Sequence, residues 1–158
     1  MIKIVVCSDN HGNRKVIEKI LYDNQDADYY FHLGDSEMKQ DELKPFISVK
    51  GNIDYDYSLP IDRVIDIGSH SFYLTHSNYY AADIDLMANA AKLNGCDVVL
   101  FGHTHDFYHQ TVKGIKFINP GSCKLNRSSD KPTYALIRIN DDNTIDVDKI
   151  ELEYKDIF

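Results

Sequence analysis

The sequence predicts an α/β domain in which two mixed β-sheets pack face to face, with helices outside. Three observations predict it. Short apolar runs with β-branched content recur along the chain, and each has the length of a buried strand. The early runs are separated by an amphipathic or polar stretch, as in a βαβ crossover. The later runs come in pairs around short turn sequences, as in antiparallel hairpins. Crossovers and hairpins together require sheets of mixed direction. At 158 residues, one domain spanning the whole chain is expected, because domains hold roughly 100–200 residues.

The elements follow in order. Ile2–Cys7 is a short apolar strand. Asn13 caps a helix that carries Val16, Ile17, Ile20 and Leu21 on one face. Tyr29–Leu33 reads as a second strand ended by Gly34, and Phe46–Lys50 as a third ended by Gly51. Between them, the polar stretch Glu37–Lys44 holds a short helix that Pro45 stops. Arg63–Ile67 and Ser71–His76 flank Gly68-Ser69-His70 as a hairpin. In Ala81–Leu93, Ile84, Met87, Ala88 and Ala91 fall at helical spacing, and Gly95 is a C-terminal stop. Asp97–Phe101 is another short strand. Phe107–Val112 with Ile115–Ile118, and Thr133–Ile139 with Thr144–Ile150, are two further hairpins. The last part therefore reads as a β-meander.

Composition excludes several classes. Apolar residues reach 43%, too many for a disordered chain. No run approaches the ~18–20 apolar residues of a membrane span, and Ile2–Cys7 is too short for a signal peptide. With 17 basic against 25 acidic residues the net charge is -8. So acidic a chain is a poor binder of long nucleic acid, which needs basic surface. Cys7, Cys96 and Cys123 are odd in number and widely spaced, against a disulfide framework. The expected compartment is the cytoplasm.

The chemistry lies where the strands end. Asp9 and His11 follow the first strand, Asp35 the second and Asn52 the third; His76 closes the hairpin strand, and His103 and His105 follow Asp97–Phe101. In open α/β sheets the carboxyl ends of strands line the ligand crevice. Five loops thus supply seven oxygen or nitrogen donors to one rim. Each piece alone also reads as ordinary turn chemistry or a structural histidine; one metal cluster explains them all. The set exceeds what one tetrahedral ion needs, and it suits Mn, Fe, Zn, Ni or Co better than Ca. Outside this pattern, His32 reads as a satisfied core histidine and His70 as a hairpin residue. Tyr79 and Tyr80 suit packing or an interface better than base stacking.

Asp9-Asn10-His11, Gly34-Asp35, Gly51-Asn52, His76 and Gly102-His103-Thr104-His105 together resemble the calcineurin-like metallophosphoesterases, in particular their small single-domain bacterial and archaeal phosphodiesterases. Asn119-Pro120-Gly121-Ser122 is similar to a turn of that subgroup. The resemblance runs from Ile2 to about Ile139. It implies a four-layer α/β/β/α sandwich. It also implies two divalent ions, Mn first, with Ni, Co, Fe, Zn or Mg as alternatives. Asp9, His11, Asp35 and His105 would hold one ion. Asn52, His76 and His103 would complete the other, with Asp35 as the bridge. Asp35, Asn52 and His76 then form the catalytic core, and a hydroxide between the ions attacks phosphorus in line. Asn10, Asn52 and Asn78 are the expected substrate contacts. The expected substrate is a small phosphate ester or a short nucleotide, with a diester preferred; the sequence leaves the oligomeric state open, a homodimer being common among the relatives it resembles.

Two positions depart from the family pattern. Ile53 stands where many members have a histidine that protonates the leaving group, and isoleucine has no proton to give. Loss of general-acid help removes about 10²–10⁴ in rate for a poor leaving group. Ser77-Asn78 replaces the usual Gly-His. Asp54 is weighed as an orienting group for the Asn52 loop against a plain turn residue. The rival expectation is a protein-binding module of the same fold, like the retromer subunit whose metal site is degraded; complete ligand positions oppose it and Ile53 keeps it open.

Overall fold

The structure, a computed structural model, describes residues 1–126 and 131–158. In chain order its elements are β1 (Ile2–Cys7), α1 (Arg14–Asp23), β2 (Tyr29–His32), β3 (Ile47–Ser48), β4 (Asp62–Ile67), β5 (His70–Thr75), α2 (Ile84–Leu93), β6 (Val98–Phe101), β7 (Phe107–Val112), β8 (Ile115–Pro120), β9 (Thr133–Ile139) and β10 (Ile145–Glu151). Short 3-10 turns cover Gln40–Leu43, Asn78–Tyr80 and Tyr154–Asp156. Five strands form one sheet in the order β10-β9-β1-β2-β3, and five form the other in the order β4-β5-β6-β8-β7. No helix of the described residues is long and apolar enough to cross a membrane.

Strand alternation builds the layers. Successive side chains of a strand point to opposite faces. Ile4 and Val6 of β1, Phe72 and Leu74 of β5, and Val98 and Leu100 of β6 share one buried cluster, so these faces meet between the sheets. Val5 and Cys7 instead pack with Val16, Ile17 and Ile20 of α1. Tyr73, Val99 and Phe101 pack with Met87, Ala88 and Ala91 of α2. The result is helix, sheet, sheet, helix, as the fold class required. Strands covered on both faces need continuous apolar runs, which is why β1 and β6 show them.

Caps and turns set the ends. Asn13 Oδ1 accepts from Val16 N at 3.0 Å and starts α1. α2 begins at Ile84, three residues later than expected, because Asp83 caps it through Leu86 N and Ala81 and Ala82 take φ of 49° and 54°. The third strand shrinks to two residues against β2. The β7–β8 turn places Lys113 and Gly114 at φ 55° and 78°, the left-handed pair that matches strand twist in a two-residue hairpin.

One expectation is corrected. The last four strands are not a meander. β7 and β8 extend the second sheet beside β6, whereas β9 returns to the first sheet and pairs antiparallel with β1, Leu136 opposite Val5. β9 is apolar on both faces, Ala135 and Ile137 inward and Tyr134 and Leu136 toward α1. It therefore has to lie inside a sheet, and it does, between β1 and β10.

Candidate metal centre

Both sheets contribute their parallel strands to one edge. β1, β2 and β3 run parallel in the first, and β5, β6 and β8 in the second. Their carboxyl ends carry every candidate ligand. Past β1 the chain stays laddered to the chain past β2: Asp9 N donates to Gly34 O, His11 N to Asp35 O and Gly12 N to Ser36 O, at 3.0, 3.1 and 2.7 Å. Five of the seven candidates have left-handed backbone, Asp9, His11, Asp35, His103 and His105, with φ from 47° to 75°. Each such residue costs about 1–3 kcal/mol and persists only where its surroundings hold it. The strain is concentrated where side chains must be turned inward.

Seven predicted donors come together. Asp9, Asp35 and His76 are buried at 1%, 4% and 0% exposure; His11, His103 and His105 are half-buried, and Asn52 sits exposed at the rim. His105 Nε2 lies 3.2 Å from Asp9 Oδ1, and His11 Nε2 lies 3.4 Å from His105 Nε2. On the other side, His76 Nε2 is 3.2 Å from Asp35 Oδ2, 3.0 Å from Asn52 Oδ1 and 3.3 Å from His103 Nδ1. One atom each of Asp9, His11 and His105, and one each of Asp9, Asp35 and His76, fall within 4.8 Å of one another. The resemblance makes Asp35 the shared ligand; in the geometry Asp9 belongs to both groups.

Hydrogen bonds at the back of the rings decide which nitrogen faces in. His76 Nδ1 meets Leu33 O at 2.7 Å. A carbonyl only accepts, so Nδ1 carries the proton and Nε2 presents a lone pair to the cluster. His11 Nδ1 faces Glu37 Oε1 at 3.3 Å and leaves its Nε2 inward in the same way. Asp9 Oδ2 accepts from Ser8 Oγ at 2.5 Å and from His103 N at 3.3 Å. Asp9 Oδ1 is buried and has no hydrogen-bond partner, although His105 Nε2 stands 3.2 Å from it. A buried carboxylate oxygen without a partner, ringed by inward imidazoles, is the electronic environment of a cation site. The residues present fit divalent ions.

The sequence pattern of the calcineurin-like phosphoesterase superfamily domain matches residues 2–142. The chain belongs to that superfamily. Among relatives of this phosphoesterase domain, the Mycoplasma genitalium protein named "Probable metallophosphoesterase MG207" is 31% identical over 93% of this chain and 93% of its own. "Phosphodiesterase MJ0936" of Methanocaldococcus jannaschii is 26% identical over 77% of this chain and 84% of its own. A Streptococcus pneumoniae structure described as a predicted phosphoesterase superposes with TM-score 0.79 at 26% identity, covering 96% of this chain and 98% of that one. Vps29 of Entamoeba histolytica complexed with zinc superposes at 0.73 with 22% identity, covering 95% and 99%; that likeness shows the fold.

Charges in the candidate centre oppose burial. Burial alone would push the Asp9 carboxyl up; His105, His76 and Ser8 outweigh it and hold it below the usual carboxylate range. Burial would depress the His76 imidazole, but Asp35, Asp9 and the Leu33 carbonyl raise it. His103 is depressed, first by burial and then by the neighbouring His76.

One expected substrate contact is turned away from the centre. Asn10 is fully buried with its amide turned into the protein: Oδ1 accepts from His32 Nε2 at 2.8 Å, and Nδ2 donates to Asn13 O and meets Met38 Sδ. A group so occupied has nothing left for phosphate. Asn78 is half-buried in the 3-10 turn two residues past His76. His32 is the core histidine expected: Gly34 N donates to its Nδ1, so Nε2 holds the proton that Asn10 accepts. His70 opens β5 and meets Asp97 Oδ2 and Asn143 O at the opposite end of the sheets, beside a cavity of about 420 Å³ that holds none of the seven donors.

Supporting residues were less visible in the sequence. Glu37 behind His11 and Ser8 behind Asp9 carry no pattern of their own. Ser122 donates to Asp9 O at 2.8 Å, and Asn119 donates to Gly102 O and Thr104 Oγ1. Their signal was the Asn119-Pro120-Gly121-Ser122 turn. Asp54 proves to be more than a turn residue, because four donors converge on its buried carboxylate.

Proposed function

We propose that this protein is a dinuclear metal-dependent phosphoesterase, a diesterase before a monoesterase, acting on a small phosphate ester or short nucleotide. The observation that carries the reading is the unpartnered, buried Asp9 Oδ1 at the meeting point of His105, His76 and Asp35. Asp9, His11 and His105 would hold one ion, and Asp35, Asn52, His76 and His103 the other, with Asp9 or Asp35 shared. When bound, a pair of divalent ions supplies Lewis-acid charge for the phosphate oxygens and hydroxide at neutral pH. The chain's own part is to hold the donors rigidly. Leu33 O and Glu37 fix the ring tautomers, Ser8 and Ser122 hold Asp9, and the sheet ladder holds both loops in register.

Mn is the first choice of ion, with Ni, Co, Fe, Zn or Mg able to fill the same imidazole and carboxylate set. A relative named a phosphodiesterase supports diester cleavage. Three buried free cysteines suit a reducing cytoplasm. Ile53 is 46% exposed and its N–H donates to Asp35 Oδ1, so its side chain lies at the rim without a proton to offer. Activated leaving groups are therefore preferred. The same residue is the one feature that favours the alternative, a protein-binding module without turnover.

The test strips the protein with chelator, restores Mn, Ni, Co, Zn or Mg singly, and assays a chromogenic diester and monoester. Metal-restored hydrolysis that Asp35→Asn abolishes supports the enzyme. Stoichiometric metal without turnover on either ester supports the module instead.

A further inference from the structure

We propose that Asp54 is a positioning residue, whose carboxylate locks the loop after β2 to the loop after β3 and thereby sets the spacing of Asp35 from Asn52. The inference rests on the metal-centre reading above and adds a residue which that reading does not use.

Asp54 is 4% exposed. Its Oδ2 accepts from Asp35 N at 2.9 Å and from Gly51 N at 2.7 Å. Its Oδ1 accepts from Glu37 N at 2.8 Å and from Ser36 Oγ at 3.4 Å. One side chain thus grips the amide of a candidate ligand, Asp35, and the amide just before another, Asn52. It also grips Glu37, whose carboxylate stands behind His11. Asp35 and Glu37 both have left-handed backbone, φ 55° and 52°. Neither β-branching nor glycine explains that conformation; hydrogen bonds to a fixed carboxylate hold it. The two loops also touch directly, since a Cβ on Gly51 would lie 2.0 Å from Asp35 Oδ1. Loops this close have no slack, and one bidentate acceptor determines how they sit. A neutral acceptor with one oxygen cannot serve both pairs of donors, which is the reason for a carboxylate here.

The role predicts an uneven effect on the two ions. The spacing of Asp35 from Asn52 bears most on the ion that Asn52 would hold; the other ion feels Asp54 only through Glu37 behind His11 and through a shared Asp35. Outer partners of metal ligands typically account for about 10–100-fold in affinity.

Mn2+ binding to the chelator-stripped full chain, followed by titration calorimetry and manganese spin resonance, tests this. Wild type takes up two equivalents. Asp54→Ala weakens one equivalent about 10–100-fold and the other by a clearly smaller factor. In an Asn52→Ala background, Asp54→Ala weakens it by less than about threefold further, because a spacing with no second ligand has no effect. Ile137→Val, in the inter-sheet core, changes neither affinity. If Asp54→Ala does not fold, Asp54→Asn gives the decision: it keeps one acceptor oxygen and weakens the same equivalent several-fold. Two equivalents bound as tightly by a folded Asp54 variant as by wild type overturn this inference alone. Equal weakening of both equivalents, or full additivity with Asn52→Ala, overturns it too. A wild-type protein that binds no Mn2+ overturns the metal centre and this inference with it.

Discussion

Replacing Gly51 with alanine isolates the closeness of two loops from everything else at the centre. Gly51 has no left-handed backbone, so the substitution adds a methyl group and no conformational strain. That methyl would meet Asp35 Oδ1 at 2.0 Å, Asp35 N at 2.4 Å and Asp35 Cγ at 2.7 Å. Ordinary contacts of this kind lie near 3.4 Å or beyond, so the Asp35 carboxylate and the Gly51 backbone must part by at least about 1 Å. Rotation of the carboxylate relieves the contacts with Oδ1 and Cγ, whereas the contact with Asp35 N forces the two loop backbones apart against the bonds from Asp35 N and Gly51 N to Asp54. A displacement of about 1 Å costs on the order of 10²-fold in rate. Gly51→Ala, reloaded with Mn2+, should hydrolyse a chromogenic diester about 10²-fold more slowly than wild type. Gly114→Ala is the control: nothing lies within 4 Å of the added methyl, and its φ of 78° only strains a distant hairpin. It should lose about 1 kcal/mol of stability and keep its turnover. Wild-type turnover and metal affinity in a folded Gly51→Ala protein would refute the reasoning, for they would mean that the position of Asp35 does not matter.

His32 makes acid stability testable. Burial pushes its pKa down to about 4 in the folded chain, against 6.5 when free. The unfolded chain therefore binds the extra proton first. The penalty is absent above pH 6.5, grows as the pH falls, and is complete below about 4, where it reaches about 3 kcal/mol. Urea titrations at pH 7.5 and 4.5 should show His32→Gln losing less stability on acidification than wild type; parallel losses would contradict this. Divalent ions should stabilise the fold by about 2.7 kcal/mol at a concentration of 100 times Kd, raising Tm in wild type and less in Asp9→Asn, as scanning calorimetry will report. Asn13→Ala removes the cap on Val16 N and the bond from its Nδ2 to Ile157 O; denaturant unfolding should show about 1–2 kcal/mol lost with turnover unchanged. Ile53→His supplies the missing acid, so it should speed poor leaving groups and leave activated ones alone; an equal gain on both would contradict that role.

Much of the architecture was legible because it rests on local chemistry. The apolar runs of β1 and β6 announced strands covered on both faces. Asn13 and the Val16, Ile17, Ile20 stripe announced α1, and Lys113-Gly114 announced a hairpin. The metal-type donors were legible because they sit immediately after strands, where a sheet's edge collects them. Asp54 was ambiguous because Gly-Asn-Ile-Asp has the composition of any turn, and its four partners come from Asp35, Ser36, Glu37 and Gly51. Asn10 was misplaced for a related reason. Its position between Asp9 and His11 suggested the rim, but left-handed backbone at both neighbours turns its amide inward to His32.

By itself, then, the sequence determined the strands and helices in outline, the cap of α1, the hairpin turns and the set of donors, because each depends on residues within a few positions of one another. Only the tertiary structure decided which sheet β9 joins, which imidazole nitrogen faces the cluster, and which carboxylate oxygen is left without a partner. Those depend on groups brought together from distant parts of the chain, such as Leu33 O behind His76 and Ser122 behind Asp9, and nothing in the local order of residues records such a meeting.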